Sequence, residues 1–123
     1  SSRNFAVKQT SEIIQQFINE CGRVWGARSD VILKASAIAE EVNEYLKGMV
    51  SPPDYFTLKI SFNELAIIME FIWQVRLGDR VRQASNDVID EIPLRIIRHY
   101  SNRLVMGDDK NGLTKMTIEI DDH

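Results

Sequence analysis

Three glutamates on one short stretch are the residues whose type and spacing best suit chemistry. Glu40 and Glu44 are four residues apart, and Glu41 lies between them. On a helix, residues four apart lie on the same face, so the first two carboxylates would point the same way. Carboxylates bind Mg²⁺ through oxygen or accept a proton as a general base. The alternative is an ordinary solvated helix face, and the spacing alone leaves both interpretations open.

The stretch that carries these glutamates has the clearest helical period in the sequence. Apolar residues recur every three or four positions opposite the glutamates, at Val31, Ile32, Ala35, Ile38, Ala39, Val42 and Leu46. This spacing predicts a helix over 29–48. Ser29 or Asp30 would cap its start, and Gly48 would end it in a left-handed conformation.

Composition places the chain among soluble globular domains. Its 123 residues suit one domain, with 44% hydrophobic and 27% charged residues and a net charge of −3. That charge argues against nucleic acid or an anionic membrane as a partner. No apolar run approaches the roughly 18 residues of a membrane span, which predicts no membrane insertion. The single Cys21 excludes an intrachain disulfide, and we predict a cytoplasmic protein.

The remaining elements are predicted from changes in the spacing of apolar residues and from the Pro and Gly residues that interrupt helices and strands. They are a short strand near Phe5, a helix over 11–25, a hairpin of strands 56–62 and 65–73, a loop over 75–90, a helix over 92–102, and strands 104–106 and 113–120 joined by a turn at Gly112. This order predicts an α+β fold. The architecture is a two-layer α/β sandwich whose mostly antiparallel sheet is covered on one face by three helices. The chain starts with Ser-Ser, which permits excision from a larger protein.

Two further sets of residues carry alternative interpretations. Glu70 interrupts an apolar strand, where it is either a structural partner or a binding residue. Arginines and a histidine also concentrate towards the C-terminal half, at Arg76, Arg80, Arg82, Arg95, Arg98, His99 and Arg103. Such a group could hold an anionic ligand or an acidic partner surface. It is otherwise a solvated face balanced by neighbouring acidic residues.

The element order, the stretch IAEEVNEYL at 38–46 and the run PLRIIRHYSNRL at 93–104 resemble the histidine-kinase-type ATPases. The nearest likeness is to the bacterial anti-sigma-factor serine kinases, and it spans nearly the whole chain as a pattern. The resemblance implies Glu40 as the catalytic base. It also implies Glu44, at the position of the family's magnesium-binding Asn, as a metal ligand. Glu70 falls near the adenine-reading Asp, and Arg76 and Arg80 would also contact the nucleotide.

The sequence departs from this family at its glycine-containing boxes. Glu70-Phe71-Ile72 stands where the family has Asp-x-Gly after the second hairpin strand. The stretch EIPL at 91–94 stands where the family has Gly-x-Gly before the last helix, the point at which backbone approaches phosphate. We therefore expect a scaffold that has lost efficient ATP binding. No cofactor is expected, and ATP and Mg²⁺ enter only under the kinase alternative.

These observations predict a regulatory or protein-interaction domain. Its partner would be another protein or the remainder of a larger parent chain, with a homodimer as a further form of association. The loop over 75–90 and its arginines would be the contact region. One alternative is a divergent ATP-binding serine kinase of the anti-sigma type. Another is the soluble regulatory tail of a bacterial membrane transporter or sensor.

Overall fold

The computed structural model describes residues 1–8, 11–63, 65–74, 92–108 and 111–121. Within these ranges the chain forms five strands and three helices. In chain order they are β1 (Ser2–Ala6), α1 (Ser11–Trp25), α2 (Ser29–Lys47), β2 (Tyr55–Asn63), β3 (Ala66–Trp73), α3 (Ile92–Tyr100), β4 (Arg103–Asp108) and β5 (Thr114–Asp121). The predicted order and the α+β sandwich are confirmed. The predicted loop over 75–90 lies outside the described residues.

The strands form one antiparallel sheet in the order β1-β2-β3-β5-β4. Alternate residues of each strand face the helices, as the period of two requires. On β5 these are Met116, Ile118 and Ile120, which are buried, whereas Thr117 and Glu119 between them are partly exposed. One face of the sheet therefore packs under the helices, and none of the described helices covers the other face.

Helices α1 and α2 approach each other closely at Gly22. A Cβ atom added there would lie 2.6 Å from Cγ1 and 2.7 Å from Cδ1 of Ile32. The missing side chain is thus what allows α1 to lie against the first turn of α2. Near the middle of α1, Phe17 meets the Phe5 ring of β1 at 5.6 Å between ring centroids, and the Phe5 ring also lies 5.7 Å from that of Phe56. These aromatic contacts tie the N-terminal strand to the helix layer.

The ends of α2 differ from the prediction. Its N-cap is Arg28, in an extended conformation and without a side-chain cap. The expected caps fail because Ser29 and Asp30 are already helical, and Asp30 Oδ2 instead accepts a hydrogen bond from Arg28 Nη2 at 2.9 Å. Gly48 is right-handed, with φ −80°, and its N–H continues the helical pattern to the Glu44 carbonyl at 3.0 Å. The left-handed conformation occurs instead at Gly26 and, as the predicted turn requires, at Gly112.

Helix α3 ends two residues earlier than predicted. Beyond Tyr100, the Asn102 N–H donates to the Glu119 carbonyl of β5 at 2.8 Å. The Asn102 side chain also accepts from the Asp121 N–H at 2.7 Å. Asn102 has therefore already joined the sheet, and this pairing ends the helix. Among the described helices, none is both long and apolar enough to cross a membrane.

Candidate functional site

A cleft of about 450 Å³ lies between α2 and α3, open on one side to solvent. Its lining residues are Ala37, Glu41, Arg95, Ile96, His99 and Tyr100. Each helix contributes them at one-turn spacing, because residues four apart share a helix face. The cleft exists because both helices pack on the same face of the sheet and lie beside each other.

Glu41 is the titratable group of the α2 wall. It lies one turn from Ala37 and one turn from Tyr45, at the edge of the buried stripe, and is partly buried. Burial raises the pKa of the Glu41 carboxyl above its usual range, and repulsion from Glu40 and Glu44 raises it further. A cationic ligand, or one that donates a hydrogen bond, would therefore stabilise the ionised form of this carboxyl group.

The α3 wall is basic and aromatic. Leu94 and Ile97 are buried beneath the helix, which leaves Arg95 and His99 exposed and one turn apart. Tyr100 lies next to His99, with the two rings edge to face at 5.2 Å between centroids. The cleft thus combines one acidic wall, one basic wall and apolar surface from Ala37 and Ile96. Such a surface suits a polypeptide segment of mixed charge.

Glu40 and Glu44, the predicted catalytic and metal residues, are both exposed on α2. A Glu44 carboxylate oxygen lies 3.6 Å from Lys47 Nζ, in a surface pair that adds little stability. Neither residue lines the cleft that Glu41 lines. In the described part of the chain, no group of three or more His, Cys, Asp or Glu side chains is placed to hold a metal ion. The metal and base roles therefore remain predictions.

Glu70 lies on the opposite side of the molecule from these glutamates. It is on the open face of the sheet, in register with Lys59 on β2 and Thr117 on β5. It lines a separate depression with Lys59 and Ser61. The sheet itself separates Glu70 from α2, so the fold does not bring Glu70 together with Glu40 or Glu44. Arg76 and Arg80 lie outside the described residues.

Sequence reasoning missed two features of this region. One is that Glu41, rather than its neighbours, enters the cleft; its one-turn spacing from Ala37 and Tyr45 was the available signal. The other is two buried polar groups for which the described residues supply no hydrogen-bond partner. Asn43 is 1% exposed and its Oδ1 accepts no hydrogen bond, and Trp73 is 2% exposed and its Nε1–H donates none. An apolar period cannot reveal an unpaired amide or indole, because pairing depends on the tertiary neighbours.

Glu41→Gln is expected to stabilise the protein at neutral pH by about 0.2–0.5 kcal/mol, the scale of like-charged pairs one turn apart. The folded state raises the Glu41 pKa, so its ionisation opposes folding once pH exceeds the ordinary carboxyl pKa. Below that pH the carboxyl is protonated in both states and the gain should vanish. Thermal unfolding of the wild type and of Glu41→Gln from pH 3 to pH 8 measures this difference in stability. Glu20→Gln, on exposed α1 surface, is the matched control. A gain that persists unchanged in acid would contradict the assignment.

No protein-family profile and no curated protein matches the chain. Among solved structures, the chain is similar to a chain of the SiaB–SiaC complex from Pseudomonas aeruginosa. The TM-score is 0.61 at 15% sequence identity, and the alignment covers 98% of this chain and 89% of that chain. At this identity the likeness shows a shared fold. The chain therefore has the same α/β architecture as a component of a two-protein complex.

Proposed function

We propose that this chain is a regulatory protein-interaction domain whose ATPase-like scaffold has lost efficient ATP binding. Two observations support the interaction role. The chain shares its fold with a chain of a protein–protein complex. Its α2–α3 cleft also presents opposite charges on facing walls, as a surface does when it selects a partner by charge.

The packing around Trp73 is the observation that supports the loss of ATP binding. In the family that the sequence resembles, the nucleotide boxes lie on the second helix, after the second hairpin strand and before the last helix. Here β3 ends in Trp73, whose ring is 6.4 Å from that of Tyr45 on α2. These side chains are 2% and 3% exposed. Protein side chains thus fill the space between α2 and the end of β3, where a nucleotide would need room.

The α2–α3 cleft indicates the chemistry of the partner. Glu41 favours a lysine or arginine, because a paired cation would relieve the repulsion from Glu40 and Glu44. His99, on the other wall, favours an acidic side chain. We therefore propose that the partner inserts a segment with a basic residue, an apolar centre and an acidic residue.

Nucleotide titration tests the loss of ATP binding. We expect no change in melting temperature with millimolar ATP or ADP and Mg²⁺. A ligand at 100 times its Kd adds about 2.7 kcal/mol of stability, so nucleotide at about 1 mM would reveal binding with a Kd of about 10 μM or tighter. A magnesium-dependent shift that disappears in Glu40→Ala or Glu44→Ala would overturn this part of the proposal.

Charge reversal in the cleft tests the interaction role. The wild-type chain, Glu41→Arg and the control Glu20→Arg would each capture proteins from cells of the source organism, with quantitative mass spectrometry as the readout. We expect the captured amount of one protein to be at least about tenfold lower with Glu41→Arg than with the wild type. A tenfold decrease corresponds to about 1.4 kcal/mol of binding free energy. Glu20→Arg should leave it unchanged. Equal capture by all three would argue against the cleft as the partner site.

A second candidate function is a divergent ATP-dependent serine protein kinase. The observation that favours it is the exposure of two carboxylates, Glu40 and Glu44, beside the partly buried Glu41. Under this proposal Glu40 accepts the proton of the substrate hydroxyl and Glu44 binds Mg²⁺ with ATP. The nucleotide titration described above distinguishes the two functions.

A further inference from the structure

Among the described residues, strand β4 has a neighbouring strand on one side only. Among the described strands it is the last in the sheet, and it pairs with β5 alone. In an antiparallel ladder, every second residue of an edge strand directs its N–H and C=O away from its neighbour. Such an edge accepts another extended strand.

The side chains of β4 do not block this edge. Between Arg103 and Asp108 the strand reads Leu-Val-Met-Gly, and Val105 is 45% exposed. Natural sheets often protect an edge with charged side chains, proline or a very short strand, and the charged residues of β4, Arg103 and Asp108, stand only at its two ends. The opposite edge, β1, is more polar: it carries Ser2, Arg3 and Asn4. The apolar centre of this six-residue edge strand is therefore a feature that a partner strand would explain.

We infer that β4 pairs antiparallel with β4 of a second copy of this chain, forming a two-fold symmetric dimer. The two five-stranded sheets would join into one continuous sheet. Because opposite residues of an antiparallel pair point to the same face, the helices of both copies would lie on the same side. This association goes beyond the proposed function, since it requires neither the α2–α3 cleft nor the state of nucleotide binding.

The sequence of β4 selects one register for this pairing. With the two-fold axis at Val105, that residue faces its own copy and Leu104 faces Met106, so apolar side chains meet on both faces of the sheet. Arg103 faces Gly107, which leaves room for the long side chain. With the axis at Met106, Leu104 would face Asp108 and lose its apolar contact. If the pairing of the two β4 strands shifted by one residue, the helix-facing side chains of one copy would lie opposite side chains of the other copy that face away from its helices.

Charge supports the same arrangement. Antiparallel pairing about Val105 keeps the two Arg103 side chains at opposite ends of the contact, each opposite Gly107. Parallel pairing in register would instead place Arg103 beside its own copy, which is unfavourable. The antiparallel arrangement therefore avoids a contact between like charges and brings the apolar side chains of the two copies together. This self-complementarity is what identifies the occupant as a second copy.

Sedimentation equilibrium of the whole chain tests the inference. We expect a concentration-dependent dimer for the wild type and at least tenfold weaker dimerisation for Val105→Lys, which places like charges at the axis. The control is Thr117→Lys. Thr117 lies on β5 directly opposite Val105, so this variant adds the same charge to the same face of the sheet but not to the edge strand. It should dimerise like the wild type.

Complementary charges provide the sharper test. Val105→Lys and Val105→Glu should each be monomeric and folded by circular dichroism, and an equimolar mixture should form a heterodimer. A wild type that stays monomeric at 0.5 mM would overturn the inference. A dimer that Val105→Lys leaves intact would also overturn it, because the contact would then lie elsewhere. Neither result depends on nucleotide binding or partner capture, so the proposed function stands or fails separately.

Discussion

Trp73→Ala is expected to lower the free energy of unfolding by about 3–5 kcal/mol, the cost of truncating a large buried aromatic side chain. Trp73 is 2% exposed and lies between Phe56 and Thr114 in the sheet register. Its ring packs edge to face on Tyr45, so it also fixes the C-terminal half of α2 to the sheet. Urea denaturation followed by circular dichroism measures the loss.

Two further tryptophan variants make this prediction specific. Trp73→Phe should cost less than about 1.5 kcal/mol, because it keeps an aromatic ring and removes the buried Nε1–H that lacks a partner. Trp25→Ala should cost less than half as much as Trp73→Ala. Trp25 is only partly buried and stacks on Phe62 at 5.9 Å between centroids. Equal losses for Trp25→Ala and Trp73→Ala would contradict the prediction that the deeper burial of Trp73 sets the larger cost.

Gly22→Leu is expected to destabilise the protein by about 1–3 kcal/mol, the usual cost of forcing extra volume into a packed contact. Already a Cβ atom would approach Ile32 Cγ1 to 2.6 Å, so α1 and α2 would have to separate or Ile32 would have to change rotamer. Gly22→Ala should be milder, because alanine in a helix regains about 1 kcal/mol relative to glycine. Chemical denaturation of both variants gives the comparison.

A double-mutant cycle shows whether the cost arises at this contact. In the Ile32→Ala background, Gly22→Leu should cost at least about 0.5 kcal/mol less, since the two side chains are direct neighbours. Asn19→Leu adds the same side chain at an exposed position of α1 and should change stability little. The same cost in both backgrounds would show that the loss does not come from the α1–α2 contact.

Local periodicity predicted the element order, because each element buries one face and must repeat apolar residues at its own spacing. The bounds of α1 and the alternation along β2 and β5 were readable in this way. Helix ends were less predictable. A cap depends on which group reaches the free backbone atoms, and Asp30 turned towards Arg28. Similarly, α3 ends where Asn102 finds a partner on β5, which is distant in sequence.

The candidate site was only partly predictable for the same reason. The spacing of the glutamates placed them on the flank of α2 away from its apolar stripe. It could not show that α3 would cover the side bearing Glu41 and leave Glu40 and Glu44 in solvent. Burial, the larger cause of the raised pKa of Glu41, depends on the folded chain, whereas the repulsion from Glu40 and Glu44 could be anticipated from their spacing.

The sequence alone therefore determined which residues are apolar and at what period, and hence the α+β class of this protein. Tertiary structure decided which polar residues meet. Glu70 lies between Ile68 and Ile72 on one face of β3, and Met69 and Phe71 lie on the other, so alternation could not assign its face. Only the position of the helices shows that Glu70 lies across the sheet from α2. Strand order likewise leaves β4 at the edge, which no local pattern can specify.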